Sequence, residues 1–267
     1  MKVHCYLINL DRSTDRLADF DQQARAAGIQ YTRIAAVDGT TIDSATRTRL
    51  FAKRSGHLPL GPREMGCFLS HRAAWQQVVD DTANWAFIAE DDIRFANAAR
   101  FFTHTDWLPA QADMVKAETC RQKIRMSRKP AARPHGHALR RLLSYHGGTA
   151  GYFISKQGAE ILLRETADKC DAADHILFNP QFGVTQHLQI WQLDPAICVQ
   201  HRFFQGAEPP ESTLDADRAE SLREQKIMLP GKPGGLAKIW REISRPFIRA
   251  GAALTTDTTK VPYAGDP

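Results

Sequence analysis

Long apolar runs are absent from this chain of 267 residues. No stretch approaches the roughly 20 consecutive apolar residues that a membrane-spanning helix needs, so we expect no such helix. Asp11 and Arg12 come too early for a secretory signal, and we expect a cytoplasmic protein. Cysteine is also scarce, because the five cysteines are widely scattered with no close pair. This pattern argues against a disulfide framework and against a zinc knuckle.

The composition is that of an ordinary soluble globular protein, with 43% hydrophobic and 24% charged residues. Residues 206–235 turn polar and contain several Pro and Gly. We therefore predict a main domain over residues 1–205 and a C-terminal extension over residues 206–267.

The main domain shows alternating strand and helix patterns. Residues 3–9 and 31–37 are predicted to be strands on either side of a helix that ends at Gly28. This strand–helix–strand order is typical of a parallel sheet. Further strands are predicted at residues 85–89, 113–117, 152–155, 188–193 and 197–200, and helices at residues 42–53, 64–79 and 157–166. The whole pattern indicates an α/β sandwich.

The net charge of +5 is concentrated in one segment. Residues 116–141 hold nine Lys or Arg against a single acidic residue, Glu118. We predict a long basic loop that reaches residue 146 and attracts phosphates. Since the segment is poor in aromatic residues, base stacking is not indicated, and we expect no nucleic-acid partner.

Three neighbouring carboxylates follow the predicted strand at residues 85–89, namely Glu90, Asp91 and Asp92. Carboxylate oxygens at the carboxyl end of a strand suit Mg²⁺ or Mn²⁺, often shared with substrate phosphates. A solvated acidic turn is the alternative. The same features, taken with the basic segment, also fit a metal-dependent phosphohydrolase or nuclease, or a nucleic-acid-binding basic protein.

Five segments, in order, resemble glycosyltransferase family 25, which includes lipopolysaccharide and lipooligosaccharide galactosyltransferases. They are LINLDRS at 7–13 with Arg16, AVDG at 36–39, EMGCFLSH at 64–71 with Trp75, AEDD at 89–92, and GTAGY at 148–152 with the residues after it. The resemblance implies a GT-A-like, Rossmann-related mixed sheet flanked by helices. It also implies inverting transfer of a hexose, with galactose the usual one, from a UDP-sugar to a saccharide acceptor in surface-glycan synthesis.

The resemblance also assigns roles to single residues. It places a divalent metal, Mn²⁺ or Mg²⁺, on Asp92 and Glu90, with His201 as a further ligand. The residues expected to line the nucleotide-sugar site are Asn9, Asp11, Arg16, Asp38, Glu90, Asp91, Gly148 and Gly151. His71, on an apolar helix face, is expected to be structural.

The acceptor hydroxyl needs a base, and the resemblance points to Asp174, with Asp171 as its rival. An N-cap of the apolar segment that follows is an alternative role for Asp174.

The C-terminal extension has apolar residues at helical spacing over residues 235–250, with cations between them. This pattern predicts a basic amphipathic helix that binds an anionic membrane surface at the inner face of the cytoplasmic membrane, near a lipid-linked acceptor. Packing against the core or another chain is the alternative.

Overall fold

The computed structural model describes residues 1–51, 60–180, 183–204 and 255–266. The helices among them are α1 (Thr14–Ala27), α2 (Ser44–Phe51), α3 (Pro62–Asp80), α4 (Lys156–Glu165) and α5 (Ala173–Phe178). The strands are β1 (His4–Asn9), β2 (Tyr31–Ala35), β3 (Trp85–Glu90), β4 (Ile93–Phe95), β5 (Met114–Lys116), β6 (Glu118–Thr119), β7 (Lys123–Ser127), β8 (Ala138–Arg141), β9 (Gly151–Ser155), β10 (Ile190–Asp194), β11 (Cys198–Gln200) and β12 (Thr256–Lys260).

Seven strands form one mixed sheet in the order β2-β1-β3-β9-β5-β10-β8. β1 pairs in parallel with both β2 and β3, so that Cys5 lies opposite Tyr31 on one side and Phe87 on the other. β9 is antiparallel to both β3 and β5. The carboxyl ends of β1, β2 and β3 therefore meet at one edge, where open α/β sheets bind ligands. The predicted mixed sheet flanked by helices is confirmed.

Alternate residues of the strands face two separate cores. Ile8 and Ile88 pack on one face with Phe68 and Trp75 of α3. On the other face, Leu7 packs in the second core, which includes residues of α1. Since strand side chains alternate between faces, helices on both sides are needed to bury them.

The first helix ends where its sequence predicts. Ser13 is the N-cap of α1, and Gly28 closes the helix at φ +68°. A left-handed C-cap of this kind favours glycine because it has no Cβ to clash. The chain then turns directly into β2, which completes the parallel pair with β1.

The segment predicted as a long basic loop contains three strands, so that prediction is wrong. β8 pairs with β10 at the edge of the large sheet, and β6 joins a small sheet of order β4-β11-β6. Alternate residues of β7, namely Ile124 and Met126, are buried. The many cations hid this apolar alternation, which identifies a half-buried strand.

The predicted C-terminal extension is not separate from the domain at its far end. β12 pairs antiparallel with β7, and Val261 and Tyr263 are buried. Arg121 holds Asp266 with two hydrogen bonds of 2.8 and 2.7 Å. The predicted amphipathic helix at 235–250 lies outside the described residues. Within the described residues, no helix has the length and apolar character to cross a membrane.

Candidate active site

A cleft of about 330 Å³ opens at the carboxyl ends of the parallel strands. Ile8 and Leu10 line it from the end of β1, and Ala36, Val37 and Asp38 from the end of β2. Its charged wall consists of Arg12, Arg16, Arg63, Glu90 and Asp91. We call this the strand-end cleft. It combines an apolar floor with arginines, which suits a ligand that has both a flat ring and phosphate groups.

Asn9 joins the ends of β1 and β3. Its side-chain amide donates to Asp91 at 2.7 Å and to the carbonyl of Ser13 at 3.0 Å. Arg16, in the first turn of α1, approaches the other oxygen of Asp91 at 3.3 Å. Burial raises the pKa of Asp91, and the hydrogen bond from Asn9 and the charge of Arg16 partly offset this rise. Three predicted site residues thus form one network.

Glu90 lies at the end of a chain of buried hydrogen bonds. The Trp75 indole N–H donates to the Tyr152 hydroxyl at 2.9 Å, which lies 2.8 Å from His71 Nδ1. His71 Nε2 lies 3.1 Å from Glu90, and the Thr149 hydroxyl donates to the same oxygen. Burial raises the pKa of Glu90, but the His71 and Thr149 hydrogen bonds and the charge of Lys116 outweigh it and lower the pKa overall. Glu90 is therefore held as a carboxylate.

Asp92 lacks such support. Its Oδ1 atom is buried and accepts no hydrogen bond from the described residues. Burial and the negative charges of Glu90 and Asp91 raise the pKa of Asp92 to about 7. A buried carboxylate oxygen without a partner, beside two other carboxylates, suits a cation.

Sequence reasoning missed a buried ion pair beside these carboxylates. Lys116 Nζ lies 2.9 Å from Glu118 Oε1, and both residues are completely buried. The same ammonium donates to the Gly148 carbonyl and lies 4.0 Å from the centre of the Phe178 ring. Lys116 was expected among exposed cations for phosphates. Its position in a buried strand, between apolar neighbours, was the signal against that expectation.

A second cleft, which we call the Asp174 cleft, shares Cys67 and Glu90 with the strand-end cleft. It is also lined by Gly148, Thr149 and Asp174. The shared residues show that the two clefts are neighbours. A ligand in the first cleft can therefore meet a second ligand that enters through the other.

Asp174 lies in the first turn of α5 and is partly exposed to the Asp174 cleft. The Tyr145 hydroxyl donates to it at 2.6 Å and the Gly148 amide at 3.3 Å. The N-cap position belongs to Ala172, which makes no side-chain capping bond. Asp171 is 2% exposed and is not among the residues that line this cleft.

Gly148 has two structural reasons to be glycine. Its φ is +82°, and a Cβ there would lie 2.0 Å from Glu118 Oε1. It lines the Asp174 cleft as well, in line with its predicted place in the site. Gly151 differs, because a Cβ there would lie 2.4 Å from Cys198 Sγ, and Gly151 lines neither cleft. The lack of a side chain at Gly151 therefore lets β9 pack closely against Cys198 of β11.

Two further predicted residues stay out of the clefts. Asp11 has a side chain that is 81% exposed, and it pairs with Arg33. The imidazole of His201 lies 3.4 Å from the Arg94 guanidinium, although its backbone amide donates to the Asp92 carbonyl at 2.7 Å. A cation beside the ring disfavours metal binding there. The structure does not bring His201 together with Glu90 as a set of ligands.

Asp38 lines the strand-end cleft and pairs with Arg12. Hydrogen bonds from Thr40, together with that arginine, lower the pKa of Asp38 to about 2. By contrast, no residue of the basic segment 116–141 lines either cleft. Among the described residues, the arginines that line the clefts are Arg12, Arg16 and Arg63 in the first and Arg202 in the second.

Comparison with known proteins identifies the class to which this fold and site belong. Residues 2–177 match the model of glycosyltransferase family 25, described as an LPS biosynthesis protein family. The chain belongs to this family, and it is a glycosyltransferase.

Its relatives include named bacterial proteins. The lacto-N-neotetraose biosynthesis glycosyltransferase LgtE of Neisseria gonorrhoeae is 26% identical over 261 residues, which cover 91% of this chain and 92% of that protein. LgtB of the same organism is 27% identical, covering 82% of this chain and 84% of that protein. The lipooligosaccharide biosynthesis protein lex-1 of Haemophilus influenzae is 32% identical over 148 residues, which cover 51% of this chain and 49% of that protein. A solved glycosyltransferase involved in glycosylating the major capsid of PBCV-1 is similar at a TM-score of 0.42 and 10% identity, covering 84% of this chain and 100% of that chain.

Proposed function

We propose that this enzyme transfers a hexose, with galactose as the first candidate, from a UDP-sugar to a saccharide acceptor of lipopolysaccharide or lipooligosaccharide, with inversion at the anomeric carbon. The proposal rests on one observation: two clefts meet at Glu90, one lined by arginines and the other by Asp174. The sugar nucleotide occupies the strand-end cleft, and the acceptor enters through the Asp174 cleft.

The donor's diphosphate carries negative charge that the strand-end cleft can compensate. Arg12, Arg16 and Arg63 line the cleft and offer planar guanidinium groups that match phosphate oxygens. The apolar residues Ile8, Leu10 and Val37 form a surface for the nucleoside. These contacts bind and orient the donor without taking part in bond breaking.

A divalent cation, Mn²⁺ or Mg²⁺, fits the chemistry of the acidic residues. The unpartnered oxygen of Asp92 and the ionised carboxylate of Glu90 are hard oxygen ligands. When bound, the cation neutralises charge that develops on the leaving diphosphate. Asp91 is already engaged by Asn9 and Arg16 and shapes the wall of the cleft.

Asp174 is the proposed base. It accepts the proton of the acceptor hydroxyl as that oxygen attacks the anomeric carbon, while the bond from that carbon to the diphosphate oxygen breaks. Tyr145 and the Gly148 amide both donate to one oxygen of Asp174 and fix the direction of the carboxylate. The other oxygen is left to take the proton.

The test is a donor screen. The purified full chain is incubated with UDP-galactose, UDP-glucose or UDP-N-acetylglucosamine, Mn²⁺ and a short lipooligosaccharide-type acceptor, and the product is followed by mass spectrometry. We expect one hexose to be added with release of UDP, and Asp92→Asn to abolish release while remaining folded by circular dichroism. The proposal is overturned if wild type consumes none of these donors, or if Asp92→Asn is as active as wild type.

A further inference from the structure

A second set of candidate metal ligands surrounds Glu90. Cys67 and His71 are four residues apart in α3 and therefore share one face of the helix. Their side chains meet Glu90 from the end of β3, and the ligand atoms of the three residues all lie within 4.8 Å of one another. Among the described residues this is the single such cluster of three. The mechanism proposed above uses Glu90 but gives no role to Cys67.

The chemistry of this cluster differs from that of the Glu90 and Asp92 pair. A thiolate, an imidazole and a carboxylate are typical zinc ligands, and three protein ligands leave a fourth position open. Two carboxylates alone suit Mg²⁺ or Mn²⁺, which prefer oxygen. Glu90 belongs to both sets, so a soft cation and a hard cation compete for it.

The surroundings of His71 support a ligand role. Its Nδ1 lies 2.8 Å from the Tyr152 hydroxyl, which is held in turn by the Trp75 indole at 2.9 Å. Second partners of this kind orient metal-bound histidines. Without metal, His71 Nε2–H donates to Glu90. With metal, the Nε2 lone pair binds the cation and the ring proton moves from Nε2 to Nδ1, so the Tyr152 hydroxyl, which donates to Nδ1 without metal, accepts from Nδ1–H instead.

The cluster is also accessible. Cys67 is half-buried and lines both clefts, whereas the other four cysteines are buried. A cation can therefore reach Cys67 from either cleft. Binding forms a metal–sulfur bond, and the thiol proton leaves to solvent.

We propose that Cys67, His71 and Glu90 form a site for a thiophilic divalent cation such as Zn²⁺, and that its occupation inhibits sugar transfer by withdrawing Glu90 from the catalytic cation. The inhibition rests on the proposed function, but the site itself does not.

The binding test uses Cd²⁺ as the probe, because a cadmium–thiolate bond absorbs in the ultraviolet. Metal-free wild-type protein titrated with Cd²⁺ should develop this band with one equivalent. Cys67→Ser should lose the band and bind Cd²⁺ at least about tenfold more weakly. Cys120→Ser is the matched control, because Cys120 also lies beside a carboxylate and a serine can keep its 3.0 Å bond to the Gly147 carbonyl. It should keep the band. An unchanged band in Cys67→Ser overturns the proposal.

A second measurement needs only the wild type. The ¹¹³Cd resonance should lie in the range for one sulfur with nitrogen and oxygen ligands, and a resonance for oxygen ligands alone overturns the site. Zn²⁺ should then inhibit UDP release by wild type and by Cys120→Ser at fixed Mn²⁺. A cadmium–thiolate band in a protein that consumes no sugar nucleotide upholds the site and refutes the proposed function. Transfer that Zn²⁺ leaves unaffected overturns the inhibitory role.

Discussion

The ammonium of Lys116 lies 2.9 Å from the Glu118 carboxylate, and neither side chain has any exposed surface. Burial raises the pKa of Glu118, and Lys116 counters that rise. Because Lys116 also donates to the Gly148 carbonyl, the pair connects the interior of the sheet with the loop that lines the Asp174 cleft. This buried charge pair therefore helps to hold the Gly148 loop in position at the Asp174 cleft.

Removal of one member of this pair should destabilise the protein strongly. Lys116→Met leaves Glu118 buried without its counter-charge, which costs about 3–5 kcal/mol. The double variant Lys116→Met/Glu118→Gln removes both charges, and its free energy of unfolding should fall less than that of Lys116→Met. Urea unfolding measures both. Equal losses in the two variants would show that the charge pair is not the cause.

Asp92 should make the stability of the metal-free protein depend on pH. Its pKa of about 7 in the folded state is above that of an aspartate in an unfolded chain, about 4. The folded state binds this proton more tightly, so its contribution is complete below pH ~4 and is lost as the pH rises through ~7. Asp92→Asn lacks this loss, and its free energy of unfolding should rise relative to wild type by on the order of 1–3 kcal/mol between pH ~4 and ~8. Parallel urea-unfolding profiles for the two proteins would contradict the assignment.

The choice between Asp174 and Asp171 can be made by kinetics. Asp174→Asn should keep donor binding but lower kcat by roughly 10²-fold or more, since it removes the proposed proton acceptor. Binding of the nucleotide part of the donor is measured by calorimetry with UDP and Mn²⁺, and kcat by UDP release. Tyr145→Phe is the control, because it removes only the hydroxyl that orients Asp174, and its kcat should fall less than that of Asp174→Asn. A near-normal kcat in Asp174→Asn excludes this residue as the base.

Arg16 should contribute to donor binding. Arg16→Ala removes a guanidinium that lines the strand-end cleft and lies 3.3 Å from Asp91, so the Kd for UDP should rise by about tenfold. Arg25→Ala is the matched control on the same helix, since Arg25 is 79% exposed and pairs with Asp21. Equal effects of the two variants would mean that the cleft does not hold the diphosphate.

Gly148 should tolerate no side chain. Gly148→Ala combines a positive φ with a Cβ 2.0 Å from Glu118, so we expect a loss of more than about 2 kcal/mol. Gly136 has a similar φ of +85° but nothing within 4 Å of its Cβ position. Gly136→Ala should therefore lose only ~1 kcal/mol in the same urea titration. A comparable loss in both variants would refute the close contact.

The local pattern of the sequence was enough to predict the parallel β1–α1–β2 unit and β3. Apolar runs, Gly28 and the carboxylates after Ala89 each report on structure within a few residues of themselves. The same reasoning placed Asn9, Arg16, Asp91 and Asp174 near the clefts, with the help of the family resemblance.

Contacts between distant segments were not predictable in this way. The cations of β7 obscured its alternating buried residues, and β8 has no alternation, because its two buried residues are followed by two arginines, so the segment was taken for a loop. Lys116 and Gly148 are far apart in the sequence, so no local pattern predicts their hydrogen bond, and the same is true of Thr119 and Val261. For His201, the sequence could not show that its backbone amide donates to the Asp92 carbonyl while its ring lies beside the Arg94 guanidinium.

The pairing of β12 with β7 changes how the stretch between Phe204 and Thr255 must be studied. Both borders of that stretch are anchored in the same folded body, so it is topologically an insertion and not a free tail. A truncated chain that simply stops before it would also lose β12 and the Asp266 anchor of Arg121. Internal excision, with Phe204 rejoined to Thr255 through a glycine–serine linker long enough to span the gap between them, is the cleaner way to ask whether the insertion reaches a membrane.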